Sequence, residues 1–156
     1  MRLRGRDDRM ERGGTMVEFA LTLPVFIILV VGIIEFGWCF FVQHTLQYAT
    51  REGMRLALVG RTLTGMTPEA SIIYTIRQEA SLAVNPDSVL VSIYPVGNNF
   101  SDPANWQNTQ NAGGTGQYMR VRSRVVHTFF TPLIGAFFPG GQMTIQAEGT
   151  YRNESW

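Results

Sequence analysis

From Phe19 to Val42 the chain reads FALTLPVFIILVVGIIEFGWCFFV, with a single charge, Glu35. As a helix, those 24 residues rise about 36 Å, against roughly 30 Å of bilayer hydrocarbon. The run therefore predicts one membrane-spanning helix beginning near Phe19. A secretory signal has a shorter apolar core and a small-residue cleavage site after it, and neither fits here. A buried core helix apolar all round needs a larger domain than the roughly 95 residues that follow residue 61 provide.

Beyond the apolar run the pattern becomes one-sided. Leu46, Ala49, Gly53, Leu56 and Val59 fall near one another on a helical face, while Arg51, Glu52 and Arg55 point elsewhere. This predicts a helical extension with one face free to receive a globular part; an ordinary juxtamembrane amphipathic helix has the same pattern. A second helix starts at Thr67, a good N-cap, with Pro68 at the first helical position and Glu69 at the positive end of the dipole. Ile72, Ile73, Ile76 and Ala80 recur along it, and Asn85-Pro86-Asp87 stops it. Val89-Leu90-Val91-Ser92-Ile93-Tyr94 is a β-rich run bounded by turn residues. Further on, Met119, Val121, Ser123 and Val125 alternate with Arg120, Arg122 and Arg124. In the last segment Met143, Ile145, Ala147 and Tyr151 alternate with Thr144, Gln146, Glu148 and Arg152. Both have the period of half-buried strands. Thr131 to Pro139 is an apolar connection, expected to be buried or close to the membrane. Helices followed by strands imply an α+β fold with an antiparallel sheet of about three to four strands.

Charge sets the orientation. Residues 1–13 carry five arginines against Asp7, Asp8 and Glu11, a net +2, whereas the remainder carries 8 arginines and 9 acids, a net −1. Arginines before the span and few charges soon after it favour a cytoplasmic N-terminus and an extracytoplasmic C-terminal part. The globular part has no basic excess of the kind nucleic acid requires.

All 13 basic residues are arginine. Without lysine, neither a nucleotide P-loop nor Schiff-base chemistry can be built. Cys39 is the one cysteine, so no intramolecular disulfide and no cysteine-rich zinc site is expected. His44 and His127 are the only histidines, and no metal ligand lies close to either in sequence. No catalytic motif, cofactor fingerprint or phosphate-binding loop appears, and the chain is not expected to be an enzyme.

Four features are left as candidates for function. Arg120, Arg122 and Arg124 line one strand face, either simply solvated or gripping an anionic partner. The polar stretch 97–117 is long for a loop, and its Trp106 either pins it to the body or meets a partner. Glu35 lies about 24 Å along the helix from Phe19, as an interface carboxylate or a contact to another subunit's helix. The junction Arg12-Gly13-Gly14-Thr15-Met16-Val17-Glu18-Phe19 puts a short charged leader, a glycine and then a glutamate in front of an apolar helix. A flexible linker ending in an interface acid would account for that order, but a simple anchor has no need of the acid.

That order resembles the processing site of type IV pilin-like proteins. The stretch from Glu11 to Phe41 is similar to the start of the TadE-like family, minor pseudopilins of tight-adherence (Tad, or Flp) pilus systems. Val17-Glu18-Phe19-Ala20, Leu23-Pro24 and Gly32-Ile33-Ile34-Glu35-Phe36-Gly37 carry the resemblance. Ala49-Thr50-Arg51-Glu52-Gly53-Met54-Arg55 resembles a further family segment, with Met54 where the family favours a small residue, and Gly149 to Glu154 resembles the family's close. The resemblance implies a type IV pilin-like fold, a prepilin peptidase cutting between Gly13 and Gly14, and Glu18 as fifth residue of the mature chain, followed by Phe19. It implies a cytoplasmic leader over 1–13, a membrane and extended helix over 14–60, and an extracytoplasmic domain over 61–156. The expected setting is the bacterial inner membrane, with other minor pseudopilins and pilus assembly proteins as partners and no cofactor. The alternative is a single-pass module that is never cut and binds on the outer side alone.

Overall fold

The computed structural model describes residues 4–154, with side-chain surroundings from Gly14 onward. Helix α1 runs Arg4–Leu58, so helical backbone begins well before the apolar run. Residues 4–13 consist largely of good helix formers, and Gly13-Gly14 does not interrupt the helix. Helix α2 is Pro68–Ala80, strand β1 Leu90–Pro95, strand β2 Tyr118–Thr128, the single-turn helix α3 Pro132–Gly135, and strand β3 Gln142–Arg152. The chain divides into two compact units, Met1–Gly37 and Trp38–Trp156.

In the first unit the apolar side chains point outward. Phe26 is 62%, Leu29 61% and Ile33 73% exposed, and none of the most apolar window is buried. A helix this long and apolar, with its side chains facing out, fits a membrane span.

The second unit has three layers. Its sheet is antiparallel, in the order β1-β2-β3, with Ile93 opposite Val121 and Val125 opposite Ile145. One face carries Val91, Ile93, Met119, Val121, Val125, Ile145, Ala147 and Tyr151, all buried. That face is covered by the C-terminal part of α1 and by α2. The Gln43 amide donates to the Gln146 carbonyl at 2.9 Å, and Thr50 shares a buried hydrogen bond with Ser123. Thr67 caps α2 as expected, accepting from the Ala70 amide at 3.2 Å, and Ile72, Ile76 and Ala80 are buried.

The buried face of α1 differs from the expected one. It comprises Val42, Leu46, Ala49, Thr50, Gly53 and Ala57, while Leu56 is half-buried and Val59 is 61% exposed. At roughly 100° per residue, Val59 lies about 140° around the helix from Leu46, so the expected set drifts off the face it starts on.

Two glycines allow close packing. A Cβ on Gly53 would lie 2.5 Å from Ile76 Cγ1 and 3.3 Å from the Ile72 carbonyl oxygen. A Cβ on Gly149 would run into the end of Met54. Met54, the departure from the family pattern, is thus accommodated by a glycine across from it. Gly53→Ala is expected to destabilise the second unit by about 1–3 kcal/mol through overpacking, because Ile76 is fully buried and has nowhere to move. Urea unfolding checks this, and an unchanged midpoint would mean that α1 and α2 part easily.

Candidate functional site

The expected processing and assembly residues lie along α1. The surroundings of Gly13, and the leader's side chains, lie outside the described residues. Gly14 is exposed, with nothing within 4 Å of the place a Cβ would take. Glu18 is exposed and Phe19 is 62% exposed. Glu18 lies four residues, about 6 Å along the axis, beyond Gly14. The Thr22 hydroxyl donates to the Glu18 carbonyl at 2.9 Å, keeping a polar side chain satisfied at the start of the apolar surface. Glu35 departs from this pattern: Ile33 and Ile34 beside it are exposed, but Glu35 is 1% exposed and so is withdrawn from the outer helix surface.

The arginine row of β2 is not a solvated face. Arg122 is buried and Arg120 and Arg124 are half-buried, because segment 97–117 folds back over the sheet as its third layer. Arg120 Nη1 meets Asp102 at 2.6 Å, and its Nη2 donates to the Phe100 carbonyl at 3.1 Å. Arg122 donates through Nε to Glu148 at 2.6 Å, and its Nη2 reaches Asp102 at 2.9 Å. Arg124 Nη2 donates to the Gln107 carbonyl at 2.9 Å and to Ser92 Oγ at 3.2 Å.

Trp106 sits at the centre of this layer. The Arg122 and Arg124 guanidinium carbons lie 4.2 Å and 4.7 Å from its ring centroid, and Tyr94 packs beside it at 5.9 Å. Planar guanidinium groups stack on an indole in this way, which ammonium groups do not. Of the two readings of Trp106, the geometry fits the one in which it pins the loop. Phe100, at φ 54°, is the one non-glycine left-handed residue among those described, and its carbonyl is the one that receives Arg120.

Electrostatics tighten the cluster. Burial pushes the Asp102 carboxyl up, but hydrogen bonds from Tyr94 and Arg120 and the charge of Arg122 outweigh it and hold the group below the usual carboxylate range. The Tyr94 phenol is pushed up to about 12, by burial first and then by donating to Asp102. Asp102 and Glu148, absent from the sequence-based site, are therefore the acids that hold Arg120 and Arg122, with Tyr94 bound to Asp102. The arrangement anchors a loop: its cations face carboxylates and carbonyls of the same chain.

No curated protein and no solved structure matches the chain. The family model described as TadE-like protein matches residues 13–55, a stretch that contains Gly14, Glu18, Phe19, Glu35 and the Arg51-Glu52-Gly53 segment. The N-terminal segment of this chain is thus similar to that of TadE-like proteins, the family its junction and apolar helix resemble.

Proposed function

We propose that the chain is a minor pseudopilin of a tight-adherence pilus. A prepilin peptidase removes residues 1–13 on the cytoplasmic face. The mature protein then waits in the inner membrane, its C-terminal unit outside, until it joins other pseudopilins and pilus assembly proteins. The observation that carries this reading is the family match from residue 13 to residue 55, since it takes in the glycine junction, Glu18 and the apolar helix together. The exposed apolar surface of α1 supports it, because such a surface needs lipid or neighbouring helices around it.

Intact-mass measurement of the membrane-extracted protein tests the proposal. The expected mass is that of the chain from Gly14, and Gly13→Val is expected to retain the leader, since a peptidase site closed around a glycine has no room for a branched side chain. A wild-type protein still beginning at Met1 would return the chain to the uncut, outer-side binding module. A mature N-terminus at Thr15 would overturn the register and with it the place of Glu18.

A further inference from the structure

We infer that the β2–β3 connection is a second membrane-contact element, a tip that rests in the lipid headgroup boundary beside the emerging helix. The inference rests on α1 being a membrane span.

The tip lies at the end of the second unit where that unit's own stretch of α1 begins. Along α1, Gln43 meets Gln146, Thr50 meets Ser123 and Met54 meets Gly149, so β3 runs the same way as the helix while β2 descends toward the helix's start. Residues 129–141, between those strands, therefore turn at the level where the apolar run ends. Phe130 packs edge-on against Trp38, one of the last residues of that run, at 6.1 Å.

Phe137 is 79%, Phe130 64% and Leu133 48% exposed, three large apolar side chains within eight residues. Trp38, Phe40 and Phe41 are exposed as well. Patches of this kind mark an interaction surface, and charge indicates which. Residues 125–147 contain no Asp, Glu or Arg, and neither do residues 36–50 of α1. The formal charges of the second unit all lie elsewhere, from Arg51 and Arg124 outward. A protein partner is not needed to explain a charge-free, aromatic-rich end around a tryptophan; a bilayer interface selects for that composition.

The backbone of the tip also suits lipid contact, where polar groups must be satisfied within the chain. Gly135, Ala136, Phe137 and Phe138 donate to Thr131, Pro132, Ile134 and Gly135 at 2.9–3.1 Å, and Phe129 and Gly141 are tied at 3.2 Å. Pro132 and Pro139 bring no amide hydrogen. Gly140 and Gly141, at φ 64° and 68°, make the left-handed turn that returns the chain to β3.

The test uses the full chain, one per lipid nanodisc, with Cys39→Ser and a single environment-sensitive fluorophore. The label is placed by Phe137→Cys at the tip, by Ile28→Cys within the apolar run, or by Asn99→Cys on the polar loop. Lipids carrying a spin label on the acyl chain, near the headgroup for positions 137 and 99 and near the chain end for position 28, are the quencher. An interfacial side chain sits roughly 5–10 Å into the headgroup boundary, so position 137 is expected to lose about half of its emission or more, while position 99 stays unquenched. Quenching at 28 but not at 137 overturns the tip inference alone, and absence at 28 overturns the span itself. Blue-shifted emission at 137 without lipid quenching means that protein covers the tip, and it also overturns the inference. A label at Leu133→Cys repeats the measurement at a second exposed site.

Discussion

Glu18→Ala is expected to yield a protein that inserts and loses its leader normally but does not join the pilus assembly. Cutting after Gly13 creates an amine on Gly14 with a reference pKa near 7.7–8.0, mostly protonated at neutral pH. At the bilayer boundary that cation and the Glu18 carboxylate are both poorly solvated. Holding either alone is costly, and pairing them offsets much of the cost. Four positions apart, the two can meet within one helix. The exposure of both Gly14 and Glu18 also leaves them open to a neighbouring chain, and the family resemblance implies that pairing between subunits sets the axial offset of the helices. Glu18→Asp keeps the charge, shortens the reach and is expected to be intermediate. Co-purification or crosslinking with pilus components, run beside leader-cleavage assays, provides the measurement. Normal assembly by the alanine variant would reduce Glu18 to an interface carboxylate within its own helix.

Trp106→Ala is expected to release the third layer of the second unit and lower its stability by about 2–4 kcal/mol, combining aromatic truncation with the loss of two stacked guanidinium groups. The loop reaches the sheet through few backbone bonds: the Ile93 amide donates to Thr109 at 2.8 Å, and the Asn111 amide donates to Ile93 at 2.9 Å. Hydrogen exchange at Ile93 and Asn111 is therefore expected to accelerate before exchange in β2 and β3 does. Trp106→Phe retains a ring face for Arg122 and is expected to lose less. Unchanged exchange at Ile93 in the alanine variant would show that Asp102 and its arginines hold the loop without the indole.

Much of the architecture was legible in the residues. Thr67-Pro68-Glu69 begins a helix because side-chain capping and a fixed φ act locally. The alternation along 119–125 and 143–152 fixes which side chains share a face. What alternation does not determine is what covers the second face, and that is where the expectation of solvated arginines failed. The covering segment is polar and has no period of its own. A signal was nonetheless present in Val89-Leu90-Val91-Ser92-Ile93-Tyr94: the run is nearly continuous rather than alternating, the pattern of a strand covered on both sides, and the structure buries Val91 to Tyr94. Asp102, the one acid between residues 97 and 117, marked where the arginines would find their counter-charge. At the membrane end, the residues identify Gly14, Glu18 and Phe19 by order alone, and the structure adds that Glu18 and Phe19 lie on the exposed surface of α1 while Glu35 does not.

The order β1-β2-β3 also bears on how the second unit assembles. Every pairing joins strands consecutive in the chain, so no crossover has to form. The β2–β3 pairing closes over the connection 129–141 and engages 11 residue pairs, whereas β1–β2 closes over 96–117 and engages six. Shorter closure costs less chain entropy, and the longer ladder returns more, so the hairpin is the natural nucleus and β1 the later arrival. In that hairpin Arg122 already faces Glu148 and Arg120 faces Thr150, Arg124 waits for Ser92 and the Gln107 carbonyl, and the aromatic turn at the hairpin's end is already made. The half-built unit is thus amphipathic end to end, apolar at the turn and cationic on its open face, which would let a bilayer surface orient it before its third layer closes.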